Sequence, residues 1–502
     1  MRIGRRFEIS PSSEGAMIVM GLTATAVALV AVALGMDMLR FDAIVGLLTL
    51  VALLTISVPL TRSVVRAEGD AALIQVLIWA IIAKVVFTLI RYFFIVKIYG
   101  DQGDAGLYSS GGAIFMELFR QGDFTLSIPA LARRGPETER IAALVGFIYM
   151  ITGVSRYAAS FVFSALCFSG QILMYRAFRR GVPEGDGRRY LVLVLFLPSL
   201  LFWPSSIGKE ALMLFFIGVV CFGAAQLLGS HITVTGVVTF FAGTAGLFFI
   251  RPHMALIGVV SLTFASAVSA VVGFSAEPDK KGSSRSFAIR MLTLVVLIAA
   301  AAVATTQLSK VLGDGSEGGD SLSGVLDRTK SMTAEGGSQF EPPAVTSPLD
   351  VPNAVITVLF RPFPWEASNA GGIIASAEGV LLATFIVSGR RRLLGWAKTV
   401  GRRPYLVFAA TFAFTFIVAF SYIGNFGILA RQRTQMLPLA LTLLALPAAP
   451  RQRDSWFGTK GELSTATSAE SEDAERRSPL LSTRLQSPLG SDGRNSRGEN
   501  RQ

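Results

Sequence analysis

The chain has 502 residues, is 52% hydrophobic and only 16% charged, carries a formal net charge of +12 and has a mean hydropathy of +0.55. A soluble domain carries about 25% charged residues, and runs of the roughly 20 apolar residues that a bilayer crossing needs recur along this sequence, so an ordinary soluble protein is excluded. Period-2 alternation is missing, which argues against a β-barrel, and Lys and Arg cluster in short loops between apolar runs, a positive-inside pattern that predicts no nucleic-acid partner.

The basic opening MRIGRRFEISPSSEG is expected to be a cytoplasmic segment over residues 1–15. The run 16–35 lacks a small-x-small cleavage site and is predicted as a retained first span. Residues 42–60 return, leaving Arg62 and Arg66 in an inner loop, and 71–98 exit, placing 99–141 outside. Lys84 and Arg91 lie within that third run; a charge there is either functional or half of a structural pair. The run 159–178 leads into RRGVPEGDGRRY, whose arginines must be cytoplasmic. Two full crossings would put them outside, so the short run 142–154 is expected to dip in, or lie in the outer leaflet, shielded by neighbours. Cys167 and Cys221 sit inside apolar runs and read as small core residues.

The remainder alternates: 190–205 exits, 209–228 returns, 233–250 exits and 254–273 returns to a basic loop. Residues 289–308 exit into a long outer loop, 309–370, that is rich in Gly, Ser, Pro and acids. Within it, DGSEGGDSLSGV lacks the ligand pattern of a calcium loop. Residues 371–388 return to GRRRLLGWAKTVGRRP, 405–422 exit, and about 432–448 return. The expectation is an all-α polytopic integral membrane protein of the plasma membrane. It has about twelve transmembrane helices over 16–449, re-entrant or interfacial helices on the outer side, both termini cytoplasmic, and a disordered Ser-rich tail, 450–502.

The polar residues left outside fall in five separated stretches. They are Asp101, Asp104 and Tyr108; Lys209 and Glu210 in FWPSSIGKEA; Arg251 and His253 in RPHMA; Arg361 and Glu366 in LFRPFPWEASN; and Asn425, Arg431 and Arg433 in GNFGILARQRTQMLP. Outer arginines oppose the positive-inside bias, and cations tolerated there usually have an anionic partner. A lipid-linked phosphate suits them, because Arg forks bind phosphate bidentately. A carboxylate opposite them could act as general base on an acceptor hydroxyl while the cations stabilise the leaving phosphate.

The stretch VKIYGDQGDAGLYSSGGAIFMELFRQGDF resembles the first outer loop of GT-C glycosyltransferases: an acid after a helix, a Tyr a few residues on, then a helix ending in a Gly-acid-aromatic turn. FLPSLLFWPSSIGKEALML resembles an outer turn of bacterial GT-C-like and polysaccharide-assembly membrane proteins. The similarity covers the first half better than the second, and whereas those enzymes often have an early catalytic loop, here two helices precede the third, which leads into it. The resemblance implies a GT-C-like fold and a polyprenyl-phosphate-linked sugar as donor, with a glycan or lipid acceptor and membrane lipids as surroundings. It implies Asp104 as catalytic base, with Asp101 as its alternative or as a metal-assisting carboxylate; a divalent metal is admitted, not required. Tyr108, Lys209, Glu210, Arg251, His253, Arg361, Arg431 and Arg433 are the candidate substrate binders.

Each residue also has a plainer reading. The aspartates and their glycines can form a turn, Glu210 can serve a helix N-terminus, Trp365 can anchor at the interface, and Arg431 and Arg433 can snorkel to headgroups. Two other functions fit the same pattern: a polysaccharide polymerase or ligase resting on the arginines, and a lipid or glycan transporter. The latter favours midplane charge pairs and internal repeats, and no clear repeat is present.

Overall fold

The computed structural model describes residues 41–272 and 338–447, apart from 99, 102, 133, 230–231, 344, 346, 368–369 and 395–402, together with Gly21. The predicted spans 16–35 and 289–308 and the tail 450–502 lie outside the described residues. Among those described, the chain is helical; its one β feature is an isolated antiparallel bridge between Gln339 and Asn425. Among the described residues six helices are long and apolar enough to cross a membrane, and three shorter apolar ones accompany them, the pattern of a polytopic helical membrane protein.

Helix α1 spans Phe41–Glu68 and α2 spans Ala72–Phe93, continuing as a π-turn to Ile98. α1 is longer than the predicted 42–60, so Arg62 and Arg66 lie within the helix and not in a loop. The reason is packing: Thr61, Val64 and Val65 are buried, and the chain turns only at Gly69, whose φ of 67° suits glycine. α3 (Asp104–Arg120) and α4 (Pro136–Thr152) lean on each other. A Cβ on Gly112 would meet Val145 at 2.5 Å and one on Gly146 would meet Phe115 at 2.7 Å. The predicted 142–154 segment therefore starts earlier, at Pro136, with Glu137 and Glu139 in its first turn.

α5 (Arg156–Gly181) is the central helix, flanked by α1, α2 and α7 (Lys209–Leu227). Its 26 residues span roughly 39 Å. Between α5 and α7 the predicted single span 190–205 is broken into α6 (Gly187–Phe196), a short helix Pro198–Phe202 and a turn. Pro198 has no N–H to continue the ladder and holds Leu197 extended. The break is fastened by Lys84, which donates to the Leu200 carbonyl (3.1 Å) and to Cys167 Sγ (3.3 Å). Lys84 is thus a structural tie, and Cys167 and Cys221 are buried free thiols.

α8 (Val234–Ile250) and α9 (Pro252–Val272) form a hairpin against α7. Part of the predicted loop 309–370 is helical: α10 (Val351–Phe360) follows a capping box made by Ser347 and Asp350. α11 (Ala370–Ser388) and α12 (Pro404–Phe420) agree with their predicted runs. The predicted span 432–448 is not one helix. α13 (Phe426–Gln432) is followed by short pieces at 433–435, 437–440 and 441–445, interrupted near Pro438. This irregular backbone is buried in protein, the condition under which such a segment survives at membrane depth.

Arg433, 0% exposed, holds that segment in place. It donates to the carbonyls of Leu359 (3.3 Å), Arg361 (3.0 Å) and Ala375 (3.1 Å), and pairs with Glu378 at 3.3 Å. Other ion pairs collect at the opposite end of α5: Arg179 with Glu68 (2.8 Å), Arg403 with Glu184 (2.9 Å) and Arg392 with Asp186 (3.5 Å).

Two outcomes test this packing. Gly218→Ala is expected to lower thermal stability in detergent, because its Cβ would run into the Gly170 carbonyl, whereas Gly258→Ala, meeting only Val220 at 3.5 Å, leaves it unchanged. Arg433→Met should cost about 3–5 kcal/mol by stranding Glu378, and Arg433→Met with Glu378→Met should recover much of it. Melting curves of the three proteins decide this.

Candidate functional site

The residues that meet at the other end of α5 all sit at helix ends. Asp104 is the first residue of α3, and Lys209 and Glu210 are the first two of α7. Arg251 follows the last residue of α8, and Arg431 lies in the last turn of α13. Asp104 and Glu210 are at helix N-termini and Arg431 is in a last turn, the placement that the helix dipole favours, while Arg251 lies between the end of α8 and the start of α9 and Lys209 opens α7. Asn425 fixes α13 by accepting from the backbone N–H groups of Gly427 (2.9 Å) and Ile428 (3.1 Å).

Arg431 is the centre of the cluster. Its Nη2 donates to Asp104 Oδ2 at 2.8 Å, and its Nε donates to Glu210 Oε1 at 2.6 Å. Arg251 approaches the same Glu210 oxygen at 4.0 Å and hydrogen-bonds the Gln432 side-chain oxygen, which also accepts from Gln435 at 2.6 Å. Lys209 turns away from Glu210 and pairs with Glu137 at 3.3 Å. Glu210 is 6% exposed at the side chain, whereas Asp104 is 53% exposed and forms the open side of the cluster.

The electrostatics follow from this geometry. The Glu210 carboxylate pushes the Arg431 guanidinium further up, with Asp104 adding to it and burial opposing. Burial draws Arg251 downward; Glu210 opposes that and Arg431 adds to it. Burial pushes the Tyr108 hydroxyl up, reinforced by Asp104 and Glu210, so Tyr108 stays protonated. Burial works to raise Glu137, but Lys209, hydrogen bonds and Arg251 together hold it below the usual carboxylate range.

Of the residues singled out in the sequence, the structure brings Asp104, Glu210, Arg251 and Arg431 together, with Tyr108 buried beside them and Lys209 one residue away. α3 does begin at Asp104, so Tyr108 stands one turn above it. Asp101 is held instead by Arg156 at 2.5 Å, in a left-handed conformation (φ 64°) that fastens the turn into α3. Arg361 belongs to a separate pair with Glu366 at 2.5 Å, and Arg433 is the internal tie described above. His253 rests against the Phe420 ring, 5.8 Å between centroids. Among the described residues no group of three His, Cys, Asp or Glu side chains converges to hold a metal, and Asp101 is engaged by Arg156.

Three members escaped the sequence reading: Glu137, Gln432 and Gln435. Glu137 carried a usable signal, an acid directly after Pro136 at a helix start. The glutamines lie next to Arg431 and Arg433 in ARQRTQ and carry none of their own. Set against protein-family models, curated proteins and solved structures, the chain finds no match in any of the three comparisons.

Proposed function

We propose that the protein is an inverting membrane glycosyltransferase of the GT-C type. It moves a hexosyl or pentosyl group from a polyprenyl-phosphate donor to an envelope glycan or lipid acceptor. The Asp104 end faces outward, since the arginine-rich end of α5 takes the inner side by the positive-inside rule. About twelve spans and cytoplasmic termini belong to the same reading.

The observation that carries it is Arg431 shared between Asp104 and Glu210, with Arg251 behind Glu210. Asp104 lies where a base is needed, exposed and beside cations. The acceptor oxygen attacks the anomeric carbon as the bond from that carbon to the phosphate oxygen breaks. The acceptor proton passes to Asp104, and polyprenyl phosphate leaves with its added charge on Arg431 and Arg251.

In the resting protein Asp104 is bound to Arg431. A donor phosphate competes for that same fork, and its binding releases Asp104 to meet the acceptor. Glu210 is more deeply buried and keeps Arg431 aimed throughout. Asp104, Glu210 and Glu137 are matched by Arg431, Arg251 and Lys209. Within these three pairs the charges balance, which suits a singly charged phosphodiester better than a pyrophosphate.

Asp104→Asn is expected to reduce transfer from a radiolabelled polyprenyl-phosphate sugar by about 10²–10⁴-fold while the protein still folds. Full activity in that variant removes Asp104 from the mechanism. If Arg431→Ala abolishes transfer and Asp104→Ala does not, the polymerase or ligase reading gains. Movement of the labelled lipid without covalent turnover supports a transporter. Glu210→Gln should chiefly raise the donor KM, because it frees Arg431 from its anchor; an unchanged donor KM would show that Glu210 does not aim Arg431.

A further inference from the structure

The turn between α10 and α11 carries a feature that the reaction centre does not use. Trp365 is 80% exposed there, with its ring stacked on Phe363 at 5.0 Å between centroids. The turn is braced. The Glu366 carboxylate accepts from Arg361 Nη2 at 2.5 Å, from Arg361 Nε at 3.0 and 3.1 Å, and from the Phe363 backbone N–H at 2.8 Å. Arg361 is covered in turn by the Phe340 and Phe426 rings, 4.6 and 5.0 Å from its guanidinium carbon. An indole that only anchors in headgroups needs no such support.

The braced turn is also tied to the reaction centre. Phe426 opens α13 and Arg431 lies in its last turn, so the helix spans the interval in roughly 8 Å. The Arg361 carbonyl accepts from Arg433, two residues beyond Arg431. A flat aromatic ledge flanked by a carboxylate–guanidinium pair has the chemistry to take a sugar ring. The ring's C–H face lies on the π-surface, and its hydroxyls reach the part-exposed edge of the Arg361–Glu366 pair.

We infer that Trp365 and Phe363, with Glu366 and Arg361 at their side, form a glycan subsite that holds the acceptor next to the Asp104–Arg431 centre. This rests on the transferase reading for its role, though the subsite itself is defined by glycan binding alone. The ligand class is a neutral pyranose oligosaccharide.

Full-length protein in lipid nanodiscs, titrated with maltotriose, cellotriose and α-mannotriose, tests it. The difference in tryptophan fluorescence between wild type and Trp365→Phe isolates Trp365 from the other four tryptophans. At least one trisaccharide is expected to change that signal saturably, and isothermal titration calorimetry of the same sugar to show binding weakened about tenfold in Trp365→Ala, as loss of an aromatic contact worth ~1.4 kcal/mol would. In the transfer assay Trp365→Ala should raise the acceptor KM by a similar factor, with donor KM and kcat unchanged, and Trp365→Phe should restore most of it. No response to any of the three sugars, or an unchanged acceptor KM in Trp365→Ala, overturns the inference and leaves the transferase reading standing. Trisaccharide binding that depends on Trp365, in a protein that transfers nothing, keeps the subsite and removes that reading.

Discussion

One guanidinium between two carboxylates is the constraint on which this end of the molecule depends. Arg431 comes from near the end of the described chain, Asp104 from its first third and Glu210 from its middle. The three cannot meet unless α3, α7 and α13 all end at one level. At the edge of a membrane a charge without a partner is costly, and removing one member of a buried pair costs about 3–5 kcal/mol. The pairing therefore fixes the fold and loads the site with charge in the same contacts.

The helices that converge there are kept in place by apolar packing and by two buried cations. α5 and α7 touch through glycines, which let their backbones approach as small residues do between membrane helices. Lys84 holds the broken helix that leads through FWPSSIG to Glu210, and Arg433 holds the irregular segment that follows Arg431. Lys84 donates to the Leu200 carbonyl, and Arg433 to the carbonyls of Leu359 and Arg361 at the end of α10, places where a break in helical structure leaves carbonyls without intrahelical partners. Each break carries a cost in hydrogen bonding, and each lies on the path to a residue of the cluster.

What was legible in the sequence follows from this. Long apolar runs such as 71–98, 209–228 and 371–388 correspond closely to helices, because length and hydropathy alone determine them. Loop-charge patterning also put Asp104, Glu210, Arg251 and Arg431 on one side, and the structure places them in contact. The reading failed where a local break overrides hydropathy. Pro198 interrupts a run that is mostly apolar, Pro438 lies in the apolar part of 432–448, and 42–60 gave no sign that burial of Val64 and Val65 would carry α1 on to Glu68. Partner choice was equally hidden. Arg361, Arg431 and Arg433 look alike as outer arginines, yet one meets Glu366, one meets Asp104 and Glu210, and one is sealed among carbonyls. Only the tertiary fold distinguishes them.

The two ends of the described bundle differ in a way that bears on ligand exchange. At the Arg392 end, arginines exceed acids, and Glu68, Glu184 and Asp186 each take one while others remain exposed. At the Asp104 end the paired cations and acids balance. A balanced cluster has no net field to draw an anion from a distance, so selectivity there must come from local exchange of one partner for another. Asp104 is the member positioned to exchange: it is the most exposed acid of the cluster and has a single arginine, whereas Glu210 is buried against two. An anion that takes the outer half of the Arg431 fork displaces Asp104 alone and leaves the inner pairing intact. The geometry thus separates an acid that aims the cation from an acid that the cation releases.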